Sequence, residues 1–450
     1  MPPMPSAAES HPLVRALLAD LGLQAGGIDL AVDPGDEMLG FLVQSHGGDR
    51  DRALYSYFQS GASIAESMAE VLRWRFGETR RIGRLLDFAS GYGRVSRFLL
   101  ALLPAERIWV ADVYAAGVRF QERRFGVHGI VSTVRPEDLP AAGPFDAILV
   151  TSLFTHLPAE RFVAWLRVLM GMLAPGGLLA FSVHDQSLLP PGVELPAEGL
   201  LFQEISESGS LAGADYGSTW VGEPFVRGAL RQALDGAGGA EGSAGAGSLH
   251  RLPRGLCNFQ DLYVAVPEAA ADFAGLVYRG EPYLFLERCE LTAPERLELR
   301  GWAGLQGCGG LAAVEVLLDG QRLARFAIDA DRPDVAELLG DPRLLRSGWG
   351  GSCPVPPGTS RSASVFGLRV VDDRGGVHPE LACTLEAALL DSSKREVGYL
   401  HSELRRAEER AAGLARHAAA LEARIAAMEA SRFWKLRNRW YRVKGWLGVG

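Results

Sequence analysis

The feature that most constrains what this chain can fold into is a change of rhythm at residue 84. From there, short apolar runs at 85–88, 108–113, 130–134, 147–150 and 178–183 alternate with helical stretches at 95–103, 116–125 and 159–173. Strands alternating with helices at this spacing predict βαβ units, and hence an α/β fold built on a parallel sheet. Ligands of such sheets sit outside the carboxyl ends of the strands, so chemistry is expected in the residues that follow each apolar run.

The first run leads into Asp87-Phe88-Ala89-Ser90-Gly91-Tyr92-Gly93. Small residues at 89, 91 and 93 let the backbone turn sharply and approach a ligand closely. The helix expected after them offers free N–H groups and a positive dipole end. Two ligand classes use such a turn. A dinucleotide site wants a third glycine where Ser96 stands, for close helix packing beside the pyrophosphate. Here an acid, Asp87, precedes the small residues instead, where it can accept a hydrogen bond from a ligand amine or a water. Asp112 closes the next run, 21 residues after Gly91. A carboxylate there can accept both ribose hydroxyls of a nucleoside. A surface turn also welcomes aspartate, and it is the distance from the glycine turn that favours the ligand role.

Two further segments complete the series. One is Pro144-Phe145-Asp146 with the apolar run behind it, ending in Phe154-Thr155-His156-Leu157; the other holds Pro175-Gly176-Gly177, which ends a helix and turns into a buried strand. In this order and spacing the four elements resemble class I S-adenosylmethionine-dependent methyltransferases, closely over 80–185 and more loosely over 40–265. Ala89 departs from the first glycine of that family's turn. The resemblance implies a Rossmann-like sheet of seven strands, with S-adenosyl-L-methionine above the carboxyl ends of the first, second and fourth. It implies that Asp87, Ala89, Gly91 and Gly93 line the methionine part, that Asp112 holds the ribose, and that Ser152 and Phe154 face the sulfonium. The acid that the family often has beside the adenine corresponds to Asp138, unless Arg135 takes its place. Tyr57 and Gly61 are placed over the methionine end.

Methyl transfer is a displacement at a sulfonium carbon, and a hydroxyl acceptor must lose a proton on the way. Histidine suits that task near neutral pH. His184, with Asp185 to orient it, and His156 both follow apolar runs at the edge where an acceptor enters, and they are the catalytic candidates. A place in the start of a helix is the plainer role for His156. The polar and aromatic stretch at 215–220 belongs either to the acceptor pocket or to a turn between strands.

The remaining segments differ in texture. Residues 1–80 are expected to be helical, chiefly over 14–23 and 53–76, and to cover the cofactor; the methyltransferase domain spans 81–270, with a Gly/Ala/Ser loop at 236–248 and a last strand within 256–266. From 280 to 388, short strands at 297–302, 314–318, 322–328 and 364–371 are separated by Asp-Gly and Gly-Gly turns, which predicts a small β-sandwich. Over 391–430 a 3,4 alternation from Val397 to Met428 predicts a coiled coil and a homo-oligomer. The tail at 431–450 carries six cations and no acid among large aromatics, which suits a membrane surface or a protein partner. The β segment and the tail are similar to accessory parts of bacterial glycosyltransferase and polysaccharide-assembly proteins. That likeness implies a glycan acceptor in surface polysaccharide synthesis; a small metabolite, a protein side chain and an inactive scaffold stay open.

Composition excludes more than it selects. A net charge of −8 gives no basis for nucleic-acid binding. The cysteines, 257, 289, 308, 353 and 383, are odd in number and never spaced as CxxC. They predict free thiols in a reducing compartment and no metal site. With no signal-peptide pattern and no apolar run of ~20 residues, a cytoplasmic location is expected, peripheral to the inner membrane face if the tail binds lipid.

Overall fold

Three helices open the chain: α1 (Pro12–Asp20), α2 (Glu37–Ser45) and α3 (Arg50–Phe76). Asp36 and Asp49 cap α2 and α3, each carboxylate accepting a first-turn backbone N–H at 3.0 Å. Gly77, at φ +71°, ends α3 in a conformation that a side chain would strain. These positions come from a computed structural model, which describes residues 8, 10–23, 27–190, 192–205, 211–235, 247–293, 295–305, 307–392 and 439–442.

The alternating part then follows: β1 (Leu85–Phe88), α4 (Ser96–Leu99), β2 (Ile108–Asp112), α5 (Ala115–Phe125), β3 (His128–Val131), β4 (Phe145–Val150), α6 (Ala159–Gly171) and β5 (Leu173–Asp185). An excursion carries β6 (Leu200–Gln203) and β7 (Ser218–Val221), and α7 (Glu223–Asp235) leads to the hairpin of β8 (Ser248–Leu256) and β9 (Gln260–Val266). β3, β2, β1, β4 and β5 lie side by side and parallel; β9 joins β5 antiparallel, and β8 joins β9. The result is a central, mostly parallel Rossmann-like sheet. The order reverses between β1 and β4, which opens a crevice beyond the carboxyl ends of the strands. β6 and β7 extend the end of β5, where His184 pairs with Trp220.

The two faces of this sheet explain the apolar runs. Successive side chains of a strand point to opposite faces, and here each face has its own cover. Leu85, Ala147 and Leu149 pack with α1 and α3 residues such as Leu17, Met68 and Leu72. Leu86, Ile148 and Val150 pack with Phe162, Leu166 and Ala229 of α6 and α7. A strand buried on both faces must be apolar at every position, which leaves Asp87 as the exception within β1.

Two local expectations change. The helix expected at 95–103 is regular only over α4. Pro175-Gly176-Gly177 does not end a helix: α6 stops at Gly171, and β4 pairs Phe145 with Leu173 but Ala147 with Leu178, so these residues bulge within β5. A Cβ on Gly177 would lie 3.0 Å from the carbonyl oxygens of Phe145 and Asp146, so only glycine lets the bulge sit this close.

Residues 282–384 form two antiparallel sheets. β10 (Pro282–Ala293), β11 (Arg296–Leu305) and β14 (Gly348–Pro354) make one. β12 (Leu311–Leu318), β13 (Gln321–Ala327), β15 (Val365–Asp372) and β16 (Val377–Thr384) make the other, and α8 (Pro333–Leu339) links β13 to β14. Phe326 of β13 stacks on Trp349 of β14, with centroids 6.4 Å apart. Three contacts bind these sheets to the opening helices: Arg369 donates to Asp20, Arg279 to Asp373, and Glu70 accepts the Arg279 backbone N–H. Contacts group residues 1–388 as one unit and 389–450 as a second. Of the second, Arg439–Arg442 are helical and exposed, while the heptad seam expected at 397–428 and most of the tail lie outside the described residues. No helix among the described residues is long and apolar enough to cross a membrane.

Candidate active site

The glycine turn leaves β1 through three left-handed residues, Ala89, Gly91 and Gly93, at φ +60°, +56° and +80°. Ala89 therefore carries a side chain where glycine is the unstrained choice, at a cost of about 1–2 kcal/mol. Hydrogen bonds hold the turn from several sides. Ser90 N–H donates to Ala111 O and Gly93 N–H to Ser90 O, while Gln121 Nε2 donates to Gly91 O. Gly93 has no room for a Cβ, which would meet Phe125 at 2.4 Å; at Gly91 nothing lies within 4 Å, so the backbone is open to a ligand.

Two acids flank that opening. Asp87 is buried; Ser96 Oγ donates to its Oδ2 at 2.6 Å, and its Oδ1 has no hydrogen-bond partner among the described residues. Burial, with the Asp112 charge adding to it, raises its pKa to about 7. Asp112 ends β2 and accepts the Gly91 N–H on Oδ2 at 2.7 Å and the Tyr114 N–H on Oδ1 at 2.9 Å. Its carboxyl is also pushed up by burial. Opposite stand Asp36, which accepts from Tyr57 Oη at 2.5 Å, and Arg94, whose Nη1 donates to Ser60 Oγ at 2.7 Å.

Asp36, Asp87, Gly91, Arg94, Asp112 and Tyr114 line one cavity of about 800 Å³. Its far end is walled by the segment after β4, the segment before β7 and the tip of the β8–β9 hairpin. Ser152, at φ +60°, receives a hydrogen bond on its hydroxyl from Gln260 Nε2 at 2.9 Å. His156 is buried, and its Nδ1 lies 2.6 Å from Gly217 O. A carbonyl oxygen has no proton to give, so Nδ1 carries the hydrogen and the neutral ring keeps a lone pair on Nε2. The Tyr216 ring stacks on His156 at 4.3 Å. Burial lowers the His156 pKa, against the pull of the Gly217 carbonyl. His184, 6.4 Å away between centroids, is lowered to about 4 by burial and by the His156 charge.

The residues expected from sequence therefore divide. Asp87, Ala89, Gly91, Asp112, Ser152, His156 and His184 all line the cavity. Gly93 supports the turn from behind, and Gly61 is required because a Cβ there would meet Arg94 O at 2.3 Å. Four others lie elsewhere. Phe154 is fully buried between Phe162 and Phe181, in the core below the sheet end. Asp185 follows His184 in a strand and so points to the opposite face, where it pairs with Arg251 at 2.8 Å and cannot orient His184. Asp138 and Arg135 both lie outside the cavity, which Ser132, Thr133 and Val134 line instead. Residues 257–258 are not in a strand: Cys257 and Asn258 (φ +52° and +51°) make the hairpin turn that carries Phe259 and Gln260 into the cavity. Asp36, Arg94 and Gln260 had no local motif to announce them.

Residues 86–179, from β1 into β5, match the family model of a methyltransferase domain. No curated protein sequence matches the chain. Among solved structures, the chain is similar to an S-adenosylmethionine-dependent methyltransferase from Clostridium acetobutylicum, with 12% identity and a TM-score of 0.31 over 45% of this chain and 90% of that one. It is similar to the sugar N-methyltransferase KedS8 from Streptoalloteichus, with 16% identity and a TM-score of 0.34 over 53% and 96% of the two chains. The amino pentose methyltransferase CalS10 from Micromonospora echinaspora gives 16% and 0.32 over 46% and 92%. Likenesses this distant leave the acceptor open.

Proposed function

We propose that this methyltransferase domain transfers a methyl group to a hydroxyl of a sugar, with His156 as the general base. The cofactor is S-adenosyl-L-methionine, and the cavity suits it. The unpartnered Oδ1 of Asp87 is placed for its ammonium, Arg94 for its carboxylate and Asp112 for its ribose hydroxyls, with Gly91 open for close approach. Bound there, it supplies a methyl group activated on a sulfonium.

The observation that carries the base assignment is the Nδ1–H of His156 on Gly217 O. It fixes the tautomer and aims the lone pair of Nε2 away from the backbone. As the acceptor oxygen forms its new bond to carbon, its proton passes to Nε2, and the imidazolium so formed is held by the Gly217 carbonyl before it loses the proton to solvent. His184 is the weaker base, because a pKa near 4 leaves little driving force for taking a proton. A glycan of the cell surface as acceptor, and attachment to a membrane surface through the tail, complete this reading; Trp440 and Tyr441 stand exposed between Arg439 and Arg442.

The test is methyl transfer to a panel of pyranosides by the wild type and by His156→Asn, whose amide can still donate to Gly217 O. The expected result is an O-methyl ether, a kcat lower by about 100-fold in the variant, and a cofactor Kd within twofold of wild type. An unchanged kcat removes His156 as the base. Transfer to none of the sugars, or only to nitrogen, removes the hydroxyl reading.

A further inference from the structure

Resting on that reading, the geometry points to an acceptor sugar that enters without a phosphate on it, as a residue of a glycan or glycoside and not as a nucleotide sugar or sugar phosphate. Four rings form a connected belt at the acceptor end. Tyr216 stacks on His156 at 4.3 Å, His156 meets His184 edge-on at 6.4 Å, and Phe259 meets His184 edge-on at 5.4 Å. All four line the cavity, and Phe259 is still 49% exposed, which places it at the mouth.

Such a belt suits a ring with an apolar C–H face and hydroxyl edges. Aromatic faces cover the first, and Gln260, Ser152 and His156 answer the second. A phosphate asks for something else: guanidinium forks, ammonium groups or a helix amino end. Among the described residues that line the cavity, Arg94 is the one cation, and it stands by the glycine turn with Nη1 on Ser60. The nearby cations are already engaged. Arg161 is bound to Asp215, and Arg251 to Asp185, Glu223 and Asp261. The residues that this stretch gives to the wall are Leu211, Ala212, Asp215 and Tyr216, and none of them is a cation. A diphosphate entering beside Tyr216 and Asp215 would meet aromatic rings and a carboxylate that already holds Arg161, with no further cation among the described residues lining that wall.

The experiment measures kcat/KM with the full chain and S-adenosyl-L-methionine for a set of methyl pyranosides, and for the 1-phosphates and nucleotide diphosphates of the same sugars. The expected preference is about tenfold or more for the neutral glycoside, the size of one lost charged contact. In Phe259→Lys, a new cation at the mouth should move that ratio toward the phosphorylated sugar by about tenfold, with the cofactor Kd unchanged. A wild-type preference for the phosphorylated sugars overturns this inference and leaves the sugar methyltransferase reading standing. Transfer to no sugar of either kind overturns both. A lysine variant that binds cofactor normally but keeps the wild-type ratio also overturns the role given to the uncharged mouth.

Discussion

The two ends of the cavity are built on different principles. The end proposed for the cofactor centres on one βαβ unit, residues 87–114, with Asp36 opposite and residues 132–134 beside it, and is built from backbone conformation and buried carboxyl groups. The acceptor end is assembled from three distant segments, 152–157, 211–217 and 256–260, and works through rings and neutral polar groups. One end gathers buried carboxyl groups around Arg94, and the other presents rings and neutral polar groups, with Asp215 already paired to Arg161. The cofactor end should therefore respond to pH and to charge changes, and the acceptor end to shape.

The largest expected effect breaks the comparison at its charged end. Asp112→Ala removes the acceptor of two backbone N–H bonds as well as the ribose partner. It should weaken cofactor binding by about 100-fold in calorimetry, since hydrogen bonds to a charged group are worth about 1.5–3 kcal/mol each. Equal binding would mean that the ribose lies elsewhere. The next effect concerns Asp87, with its pKa of about 7. Only the ionised carboxylate attracts an ammonium, so cofactor affinity should fall about fivefold between pH 7 and pH 6, and Asp87→Asn should remove that slope. The same group has a mirror effect on the free protein. Unfolded, it ionises near the ordinary aspartate value of 3.8; folded, near 7. Its contribution to stability is thus whole below about pH 4 and lost as pH rises to about 7, a decline that Asp87→Asn should flatten in denaturant melts.

At the uncharged end, Tyr216→Leu should raise the acceptor KM by about fivefold, the worth of one aromatic contact. The cofactor Kd should not move; a joint change would mean that the two ends are not separable. The smallest effect is expected at Ala89. Ala89→Gly relieves a left-handed alanine and should stabilise the fold by about 0.5–1 kcal/mol in chemical denaturation, with no change in kinetics.

The same contrast decides what could be read from the chain. The positions of Asp87, Gly91, Gly93 and Asp112 in one turn region were legible because they depend on local turns at the ends of adjacent strands, which spacing encodes. The parallel sheet was legible because strands buried on both faces are apolar throughout. His156 was visible as a candidate, but the contact on which its proposed role rests was not, because Gly217 supplies the carbonyl from 61 residues away. Asp185 shows how sequence adjacency misleads, since neighbours in a strand face opposite ways. Phe154 shows the same for the segment after β4, where one step of the turn sends a side chain into the core. Asp138 was placed by motif likeness alone, and the backbone leaves it exposed outside the cavity.

One buried side chain has a consequence for how far the chain can be shortened. The Arg97 guanidinium is fully enclosed, with Nε on Gly93 O and Nη1 on the carbonyls of Asp29 and Ala31, all at 2.9 Å. A chain begun after Val32 would keep this cation beneath the cofactor turn while removing two of its acceptors. A buried charge stripped of its partners is among the costliest defects a fold can carry. Trimming the amino end should therefore abolish cofactor binding, although none of the residues removed touches the cavity.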